Sequence, residues 1–417
     1  MERAGERDVR EETGTGSGRS GFRNCTPPRT ASALAALLAG HGRELAQVPG
    51  VDPHNPRLQR AQIPGRIEEQ LLGHIVIVVD VDVVDPRPQR GWRCRLTQAA
   101  VLHVAQQLLH PRTPIRFAHI HEWIHVRVAV ARVAERHNLW FGISSLSSVS
   151  IEEIGANYAG PKMLQYYYHK DRGLNAALVE RARAAKFDAI ALTVDTIVSG
   201  NRERCKRSGF TTPPRLSPSS FLSYATRPAW ALNFLFRERF SLPNLETHVA
   251  EGSRRAISIQ DYFNGMLDPD MDWAAVEKLR DDWGGTFCLK GVMSVADARR
   301  AADIGCDAIM VSNHGGRQLD GSRAPFDQLE EIVDAVGDRI EVICDGGVRR
   351  GTHVLKALAT GAAAASGGRL YLYALAAAGE AGVERAIAIL REEIERGMRL
   401  MGVRSVAELN RDMLRRR

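Results

Sequence analysis

Cysteine is scarce in this 417-residue chain, and none of its six cysteines forms a CxxC pair. Three of them, Cys288, Cys306 and Cys344, lie in or beside apolar runs and are predicted to be small core residues. This pattern argues against a disulfide framework and a zinc site, and it is typical of a reducing, cytoplasmic compartment. The chain also lacks an uninterrupted apolar stretch of the roughly 18 to 20 residues that a membrane-spanning helix needs.

A strong excess of one charge is also missing. The 56 Lys and Arg residues against 49 Asp and Glu residues give a formal net charge of +7. No basic run is interleaved with aromatic residues, so the pattern expected of a nucleic-acid-binding surface is absent from the sequence. The mild basic excess instead suits an anionic substrate or an acidic membrane surface.

Lysine and tyrosine do not occur before residue 130, whereas eight of the 13 histidines do. Residues 1–129 are therefore treated as an atypical N-terminal segment. Three interpretations stay open: a disordered basic extension, a divergent first module, or the translation of a shifted reading frame. The complete lack of lysine, beside ordinary lysine use afterwards, favours the third. One alternating run in this segment, HIVIVVDVDVVD (74–85), is compatible with a strand.

From about residue 130 to residue 417, apolar strand candidates alternate with helical patterns. This alternation predicts parallel βαβ units, and the lack of a GxGxxG turn after the first strand favours a (β/α)8 TIM barrel over a Rossmann sheet. An eighth strand should precede residue 130, although no first strand is recognisable in the N-terminal third. The seven predicted strands are Leu139–Ser144, Met163–Tyr168, Asp188–Val194, Thr286–Lys290, Asp307–Ser312, Ile340–Cys344 and Ala363–Gly367.

A long excursion at about 197–285 interrupts the alternation. A compact barrel does not need a connection of this length, so the segment is predicted to lie over the mouth of the active site. It is rich in arginine and also contains Phe221, Trp230 and Phe234. Two interpretations stay open: a partly ordered lid, and a surface that docks on anionic lipid.

Glycine and arginine occur together in two loops, CDGGVRRG (344–351) and SGGR (366–369). These loops follow predicted strands seven and eight, where a TIM barrel usually binds phosphate. Backbone N–H groups and helix N-termini attract phosphate oxygens, and Arg349 and Arg369 can form forked hydrogen bonds with a dianion. Alone, the loops indicate only a phosphorylated ligand, and glycines that merely turn a tight loop are the alternative.

More specific are SNHGGRQLDG (312–321), LQYYYHKDRG (164–173), ALTVDT (191–196), GNRER (200–204), CLKG (288–291), VICDGGVRRGTHVLKALATGA (342–362) and GEAGVERA (379–386). These motifs resemble the FMN-dependent 2-hydroxy-acid dehydrogenase and oxidase family, which includes glycolate oxidase and bacterial L-lactate dehydrogenases. The resemblance covers roughly residues 130 to 415. The stretch FLSYATRPAW (221–230) is most similar to membrane-associated lactate and mandelate dehydrogenases.

The resemblance implies that His314 is the active-site base and that Asp195 pairs with it. A neighbouring carboxylate favours the protonated imidazole, which suits a residue that accepts the substrate proton. Arg202 and Arg317 are implied to clamp the substrate carboxylate, and Tyr167 to contact the substrate hydroxyl. Ordinary strand packing is the alternative for Tyr167.

The resemblance also implies FMN as the cofactor, with no metal. Lys290 is expected beside the flavin edge that becomes negative on reduction. Ser144, Gln165 and Thr193 match positions that hydrogen-bond the ring system, and Ser312 is a further cofactor contact. The ribityl-phosphate pocket is implied to comprise Asp345, Gly347, Arg349, Gly368 and Arg369.

Together these assignments predict FMN-dependent oxidation of an L-2-hydroxy acid, with L-lactate the first candidate. Electrons would pass to a quinone, a cytochrome or dioxygen, and the membrane-type resemblance favours a dehydrogenase that is cytoplasmic or peripheral on the inner face of the membrane. A homo-oligomer is expected.

The alternative is an inactive truncated or misread family member without flavin, because the family's APTA-like first turn is not visible. A phosphate-binding barrel isomerase or aldolase would leave His314, Arg317 and Asp195 without a role.

Overall fold

Eight parallel strands close into a barrel, hydrogen-bonded in the order in which they occur in the chain. The computed structural model describes residues 75–79, 128–203, 207, 221–222, 225–226, 241–245 and 265–415. The strands are β1 (Ile75–Val79), β2 (Trp140–Ser144), β3 (Lys162–Tyr166), β4 (Ala189–Thr193), β5 (Thr286–Lys290), β6 (Ala308–Ser312), β7 (Glu341–Asp345) and β8 (Ala364–Gly367). The predicted fold class is confirmed.

Helices follow the strands of the described part and pack around the barrel. They are α1 (Ala129–Arg136), α2 (Ile151–Asn157), α3 (Arg172–Ala184), α4 (Trp273–Trp283), α5 (Val295–Asp303), α6 (Pro325–Val336), α7 (Gly351–Thr360) and α8 (Arg369–Met401). α8 is broken at Ala378 and Gly379, whose backbone angles are not helical.

The first strand, β1, comes from the alternating run at residues 74–85. It pairs in parallel with β2, Val76 opposite Trp140, and with β8, Ile77 opposite Gly367. The expectation of an eighth strand before residue 130 is therefore confirmed, and the structure gives the position that the sequence analysis did not recognise. Closure pairs the edges of β2 and β8 that a seven-stranded sheet would expose. The remaining residues before 128 lie outside the described residues, so the domain boundary at 129/130 and the three interpretations of the N-terminal segment stay predictions.

The other seven strands lie within one or two residues of their predicted bounds. β2, β3, β4 and β6 are buried at every position. Helices cover a parallel barrel outside and side chains fill it inside, so both faces of each strand are apolar. That is why these strands appear in the sequence as continuous apolar runs.

Helix caps show how the loops lead from strand to helix. The Ser294 hydroxyl accepts a hydrogen bond from the Asp297 N–H at 3.0 Å at the start of α5. Ser150, Asp171 and Asp272 cap α2, α3 and α4 in the same way. A cap of this kind typically contributes about 1 kcal/mol to stability.

The three cysteines predicted to lie in the core are buried and free. Burial raises the pKa of the Cys306 and Cys344 thiols to about 12, and it raises the pKa of Cys288 as well. The thiols therefore stay protonated at neutral pH and behave as small packing residues.

The described parts of the excursion between β4 and α4 are anchored on the loops after β2 and β3. The buried Asn244 side chain accepts a hydrogen bond from the Ile151 N–H at 3.0 Å and donates one to the Val149 carbonyl at 3.2 Å. Further on, the Asp268 N–H donates to the Tyr168 carbonyl at 3.1 Å. These anchors lie at the carboxyl ends of the strands. Within the described part of the chain, no helix has both the length and the apolar character needed to cross a membrane.

Candidate active site

His314 and Asp195 come together although 119 residues separate them in the sequence. Asp195 follows β4, and His314 follows β6. Nδ1 of His314 lies 3.2 Å from Oδ1 of Asp195, and the side chains are 3% and 14% exposed. The predicted base and its predicted carboxylate partner are therefore in contact at the mouth of the barrel.

A left-handed turn holds the imidazole in place. The φ angles are 56° at His314, 66° at Gly315 and 72° at Gly316. A non-glycine residue seldom adopts such an angle, at a cost on the order of 1 kcal/mol. The His314 N–H donates to Ser312 Oγ at 3.1 Å, and the Gly316 N–H donates to Asn313 Oδ1 at 3.0 Å. Ser312, predicted to be a cofactor contact, thus also supports the turn.

Two residues that the sequence analysis did not single out shape the surroundings of Asp195. The Thr196 hydroxyl donates to Asp195 Oδ1 at 2.9 Å and lies 3.3 Å from His314 Nδ1. Gly291, at φ 103°, leaves room for the carboxylate, because an added Cβ would lie 2.6 Å from Asp195 Cγ. Both residues occur in motifs that carried the family resemblance, but their contacts depend on the fold.

Lys290 and Asp345 form a buried ion pair between β5 and β7. Lys290 Nζ lies 3.0 Å from Asp345 Oδ2, and the side chains are 3% and 13% exposed. Burial acts to raise the pKa of Asp345, but the Lys290 charge and the Ser366 and Ser312 hydroxyls outweigh it, so the pKa lies below its ordinary value. Lys290 was predicted to lie beside the flavin edge and Asp345 in the ribityl-phosphate pocket, whereas the structure pairs the two side chains directly.

The ends of β2, β3 and β4 present a second group of buried polar side chains. Gln165 Nε2 donates to Thr193 Oγ1 at 2.5 Å, and Ser144 lies beside Gln165 in the β2–β3 register. Within the described part of the chain, Gln165 Oε1 and Ser145 Oγ are buried without a hydrogen-bond partner. Buried polar atoms are normally satisfied, so these two atoms indicate a bound polar group.

The two glycine loops are more open. Gly346 and Gly347 have φ angles of 137° and 71°. An added Cβ at Gly347 or Gly368 would meet no heavy atom of the chain within 4 Å. The loops lead into the N-termini of α7 and α8, which favour an anion.

Arg349 and Arg369, the two arginines predicted to bind the phosphate, are solvent-exposed. Arg369 Nη2 donates to the Gly315 carbonyl at 2.6 Å, which places its guanidinium over the turn that carries His314. The Arg349 N–H donates to His353 Nδ1 at 3.2 Å. Burial and the neighbouring Arg349 charge lower the pKa of His353.

The three predicted substrate residues lie on the segments that follow three different strands, β3, β4 and β6. Tyr167 is the first residue after β3, not a strand residue as predicted, and it is buried. Arg317 lies three residues after His314 and is half-buried. Arg202 is also half-buried, on the segment that continues from Asp195. Their substrate-binding roles stay predictions.

Comparison with known proteins agrees with this architecture. The model of a family described as FMN-dependent dehydrogenase matches residues 113–416. The chain belongs to that family. An L-lactate dehydrogenase of Caulobacter vibrioides is 39% identical over 290 residues, which is 69% of this chain and 75% of that protein. A putative L-lactate dehydrogenase of Mycobacterium tuberculosis is 37% identical over 284 residues, which is 68% of this chain and 67% of that protein.

Solved structures place this FMN-dependent dehydrogenase in the same group. The monotopic membrane protein (S)-mandelate dehydrogenase has 32% sequence identity and a TM-score of 0.66, over 71% of this chain and 78% of that chain. Mandelate oxidase has 38% identity and a TM-score of 0.57, over 68% and 72%. The predicted family, fold and cofactor are confirmed, whereas β1 lies outside the residues that the family model matches.

The donor set of this dehydrogenase fits FMN. The buried atoms of Gln165 and Ser145 suit the polar edge of the flavin ring, and Lys290 supplies a cation at the same end of the barrel. The space at Gly347 and Gly368 leaves the backbone open to a phosphate group. No group of three or more metal-ligating side chains occurs in the part of the chain that the structure describes.

Proposed function

We propose that this flavoprotein oxidises L-lactate to pyruvate, with His314 as the base. Its relatives are lactate and mandelate dehydrogenases and oxidases, which support the oxidation of a 2-hydroxy acid. The observation that carries the proposal is the buried contact between His314 Nδ1 and Asp195 Oδ1 at 3.2 Å. L-lactate is the preferred substrate because two relatives of 37–39% identity are L-lactate dehydrogenases.

His314 accepts a proton from the substrate, and Asp195 stabilises the imidazolium that results. Thr196 restrains the carboxylate by donating to Oδ1. The side chain of His314 is 3% exposed, so water is largely excluded and the charge of Asp195 is effective. This contact supports the assignment of His314 as a base that the Asp195 carboxylate orients.

Arg202 and Arg317 hold the substrate carboxylate, and Tyr167 contacts the substrate hydroxyl. A guanidinium binds a carboxylate through two parallel hydrogen bonds, which fix direction as well as distance. Orientation matters because a reacting group that is displaced by about 1 Å can lose a factor of about 100 in rate. The position of Arg317 in the same turn as His314 supports this role.

FMN, when bound, supplies the acceptor for the two electrons that the hydroxy acid loses. Ser144, Gln165 and Thr193 would hold its ring system, and Lys290 would face the edge that gains negative charge. Asp345 restrains Lys290 through their ion pair, and Ser312 supports both Asp345 and the His314 turn. Gly347, Arg349, Gly368 and Arg369 would hold the phosphate.

We further propose that the electrons pass to a quinone or cytochrome and that the protein is peripheral on the inner face of the membrane. One structural relative is a monotopic membrane dehydrogenase. Phe221 and Leu222, in the excursion, are each 67% exposed, which suits contact with lipid. Reoxidation of the reduced enzyme by a soluble quinone and by dioxygen, compared by stopped flow, tests the choice of acceptor. Faster reoxidation by dioxygen would mean an oxidase.

The function is tested with purified full-length protein. A flavin absorbance band should be present, and under anaerobic conditions L-lactate should bleach it faster than D-lactate, glycolate or (S)-mandelate. His314→Asn is the matched control, because asparagine tolerates a positive φ. Protein without a flavin band would support the inactive alternative, and faster bleaching by (S)-mandelate would replace lactate with an aromatic substrate.

A further inference from the structure

Gln318 joins the two loops that carry the proposed catalytic and substrate-binding residues. Its Nε2 donates to the Asp195 carbonyl at 3.1 Å and to the Val198 carbonyl at 3.1 Å. Its Oε1 accepts a hydrogen bond from the Gly200 N–H at 3.3 Å. One side-chain amide thus satisfies three backbone groups on a segment that lies 118 to 123 residues earlier in the chain.

The backbones of the two loops also touch directly. An added Cβ at Gly200 would lie 2.1 Å from the Arg317 carbonyl oxygen. Only glycine permits this approach, and the approach puts Arg202, two residues further on, near the loop of Arg317. Gln318 and Gly200 therefore make one contact zone, formed by residues 195–200 on one side and residues 317–318 on the other.

We propose that Gln318 is a positioning residue. It fixes the position of the Asp195 carboxylate relative to His314, and the position of Arg202 relative to Arg317. This inference rests on the proposed function. Gln318 and Arg317 are both half-buried, whereas Leu319, the next residue, is 77% exposed. The amide is thus directed at the neighbouring loop while the next side chain faces solvent.

The reason for an amide at this position is its mixed hydrogen-bonding capacity. Two carbonyl oxygens need donors and one N–H needs an acceptor, and a primary amide supplies both. A carboxylate would keep the acceptor but face two carbonyl oxygens without a donor. Because β5 lies between β4 and β6, no strand hydrogen bond directly joins the two strands that carry these loops.

The test uses the FMN-loaded full-length enzyme and three variants. Gln318→Met keeps the length of the side chain without its hydrogen bonds, Gln318→Glu replaces the donor group with a negatively charged acceptor, and Leu319→Ala is the matched neighbour. Amide hydrogen exchange of peptides that span residues 195–203 reports the loop contact without turnover. We expect faster exchange in both Gln318 variants and unchanged exchange in Leu319→Ala.

Kinetics gives the second readout. In the Gln318 variants, kcat/KM for L-lactate should fall up to about 100-fold, with a rise in KM and weaker pyruvate binding, while flavin content and melting temperature stay near those of the parent. A merely structural role would lower flavin content and stability and leave KM unchanged. Unchanged exchange at 195–203 would overturn the proposal even in an active enzyme. If the parent enzyme does not oxidise any 2-hydroxy acid while exchange still rises, the proposed function fails and the loop contact stands.

Discussion

The proposed catalytic end of the site and its proposed phosphate rim are built differently. At the catalytic end, His314 contacts Asp195, Lys290 contacts Asp345, and both His314 and Lys290 side chains are only 3% exposed. At the rim, Arg349 and Arg369 are exposed, and the glycine loops leave open space. One end is assembled by contacts within the protein, and the other is open to solvent.

The difference matches what each end is proposed to do. A base and a charge that act on a reaction need fixed geometry and a low dielectric, which burial supplies. A phosphate carries its own charge and is held by backbone N–H groups and by guanidinium groups at the surface. Substitutions at the catalytic end should therefore change rate and stability, whereas substitutions at the rim should change cofactor affinity.

The largest effect is expected for His314→Asn. Loss of a positioned general base typically reduces the rate by about 100- to 10,000-fold, and asparagine preserves the left-handed turn. The measurement is the anaerobic rate of flavin bleaching by L-lactate at a flavin content equal to that of the parent. A reduction of less than tenfold would remove His314 from the proposed mechanism.

Breaking the Lys290–Asp345 pair should lower the free energy of unfolding. Removal of one partner, as in Lys290→Met or Asp345→Asn, leaves a buried ionic or polar group without its partner, and breaking such a pair typically costs about 3–5 kcal/mol. The double variant Lys290→Met/Asp345→Asn should recover part of that loss in urea unfolding of the flavin-free protein. Additive losses would show that the two side chains do not interact energetically.

Arg349→Ala should affect the rim alone. Loss of a charged hydrogen bond costs about 1.5–3 kcal/mol, so the dissociation constant of FMN should rise by about 10- to 150-fold. The rate at saturating FMN should change little. Arg385→Ala, which removes an exposed arginine paired with Glu392 on α8, is the control. A lower rate at saturating FMN, with an unchanged dissociation constant of FMN, would show that the rim does not act on cofactor affinity alone.

The smallest expected effect is a decrease in the free energy of unfolding as the pH falls. The pKa of Asp345 lies below its ordinary value of 3.8, so its stabilising contribution is present above that value and is lost as the pH falls through the lower pKa of the folded state. The slope should approach about 1.4 kcal/mol per pH unit for this one proton. Thermal unfolding between pH 5 and pH 2, in roughly half-unit steps, should give a flatter profile for Asp345→Asn than for the parent.

Some features of the fold depend on short-range patterns, and these were predictable. Apolar runs predicted seven strands, because the burial pattern of a strand involves residues close in sequence. β1 was harder to find. Its alternating run was visible, but its assignment depended on the open edges of β2 and β8, which are formed by residues far along the chain.

The site likewise has features that short-range sequence patterns predict and features that depend on residues far apart in the chain. The motif around His314 and the glycine loops identified candidate residues, since these residue types in these places suit a base and a phosphate. The sequence did not predict that Lys290 contacts Asp345 or that Gln318 spans the two loops. Both contacts join residues on loops and strands that only the closed barrel brings to within 3.0–3.3 Å.

The amino-acid sequence by itself therefore determined the (β/α)8 order, the family and the chemical types available to the site, because residue pattern and motif act locally. The tertiary structure alone decided the closing strand, the pairing of the buried charges and the contact between the loops after β4 and β6. The physical reason is that barrel register sets which side chains meet, and register is a property of all the strands together.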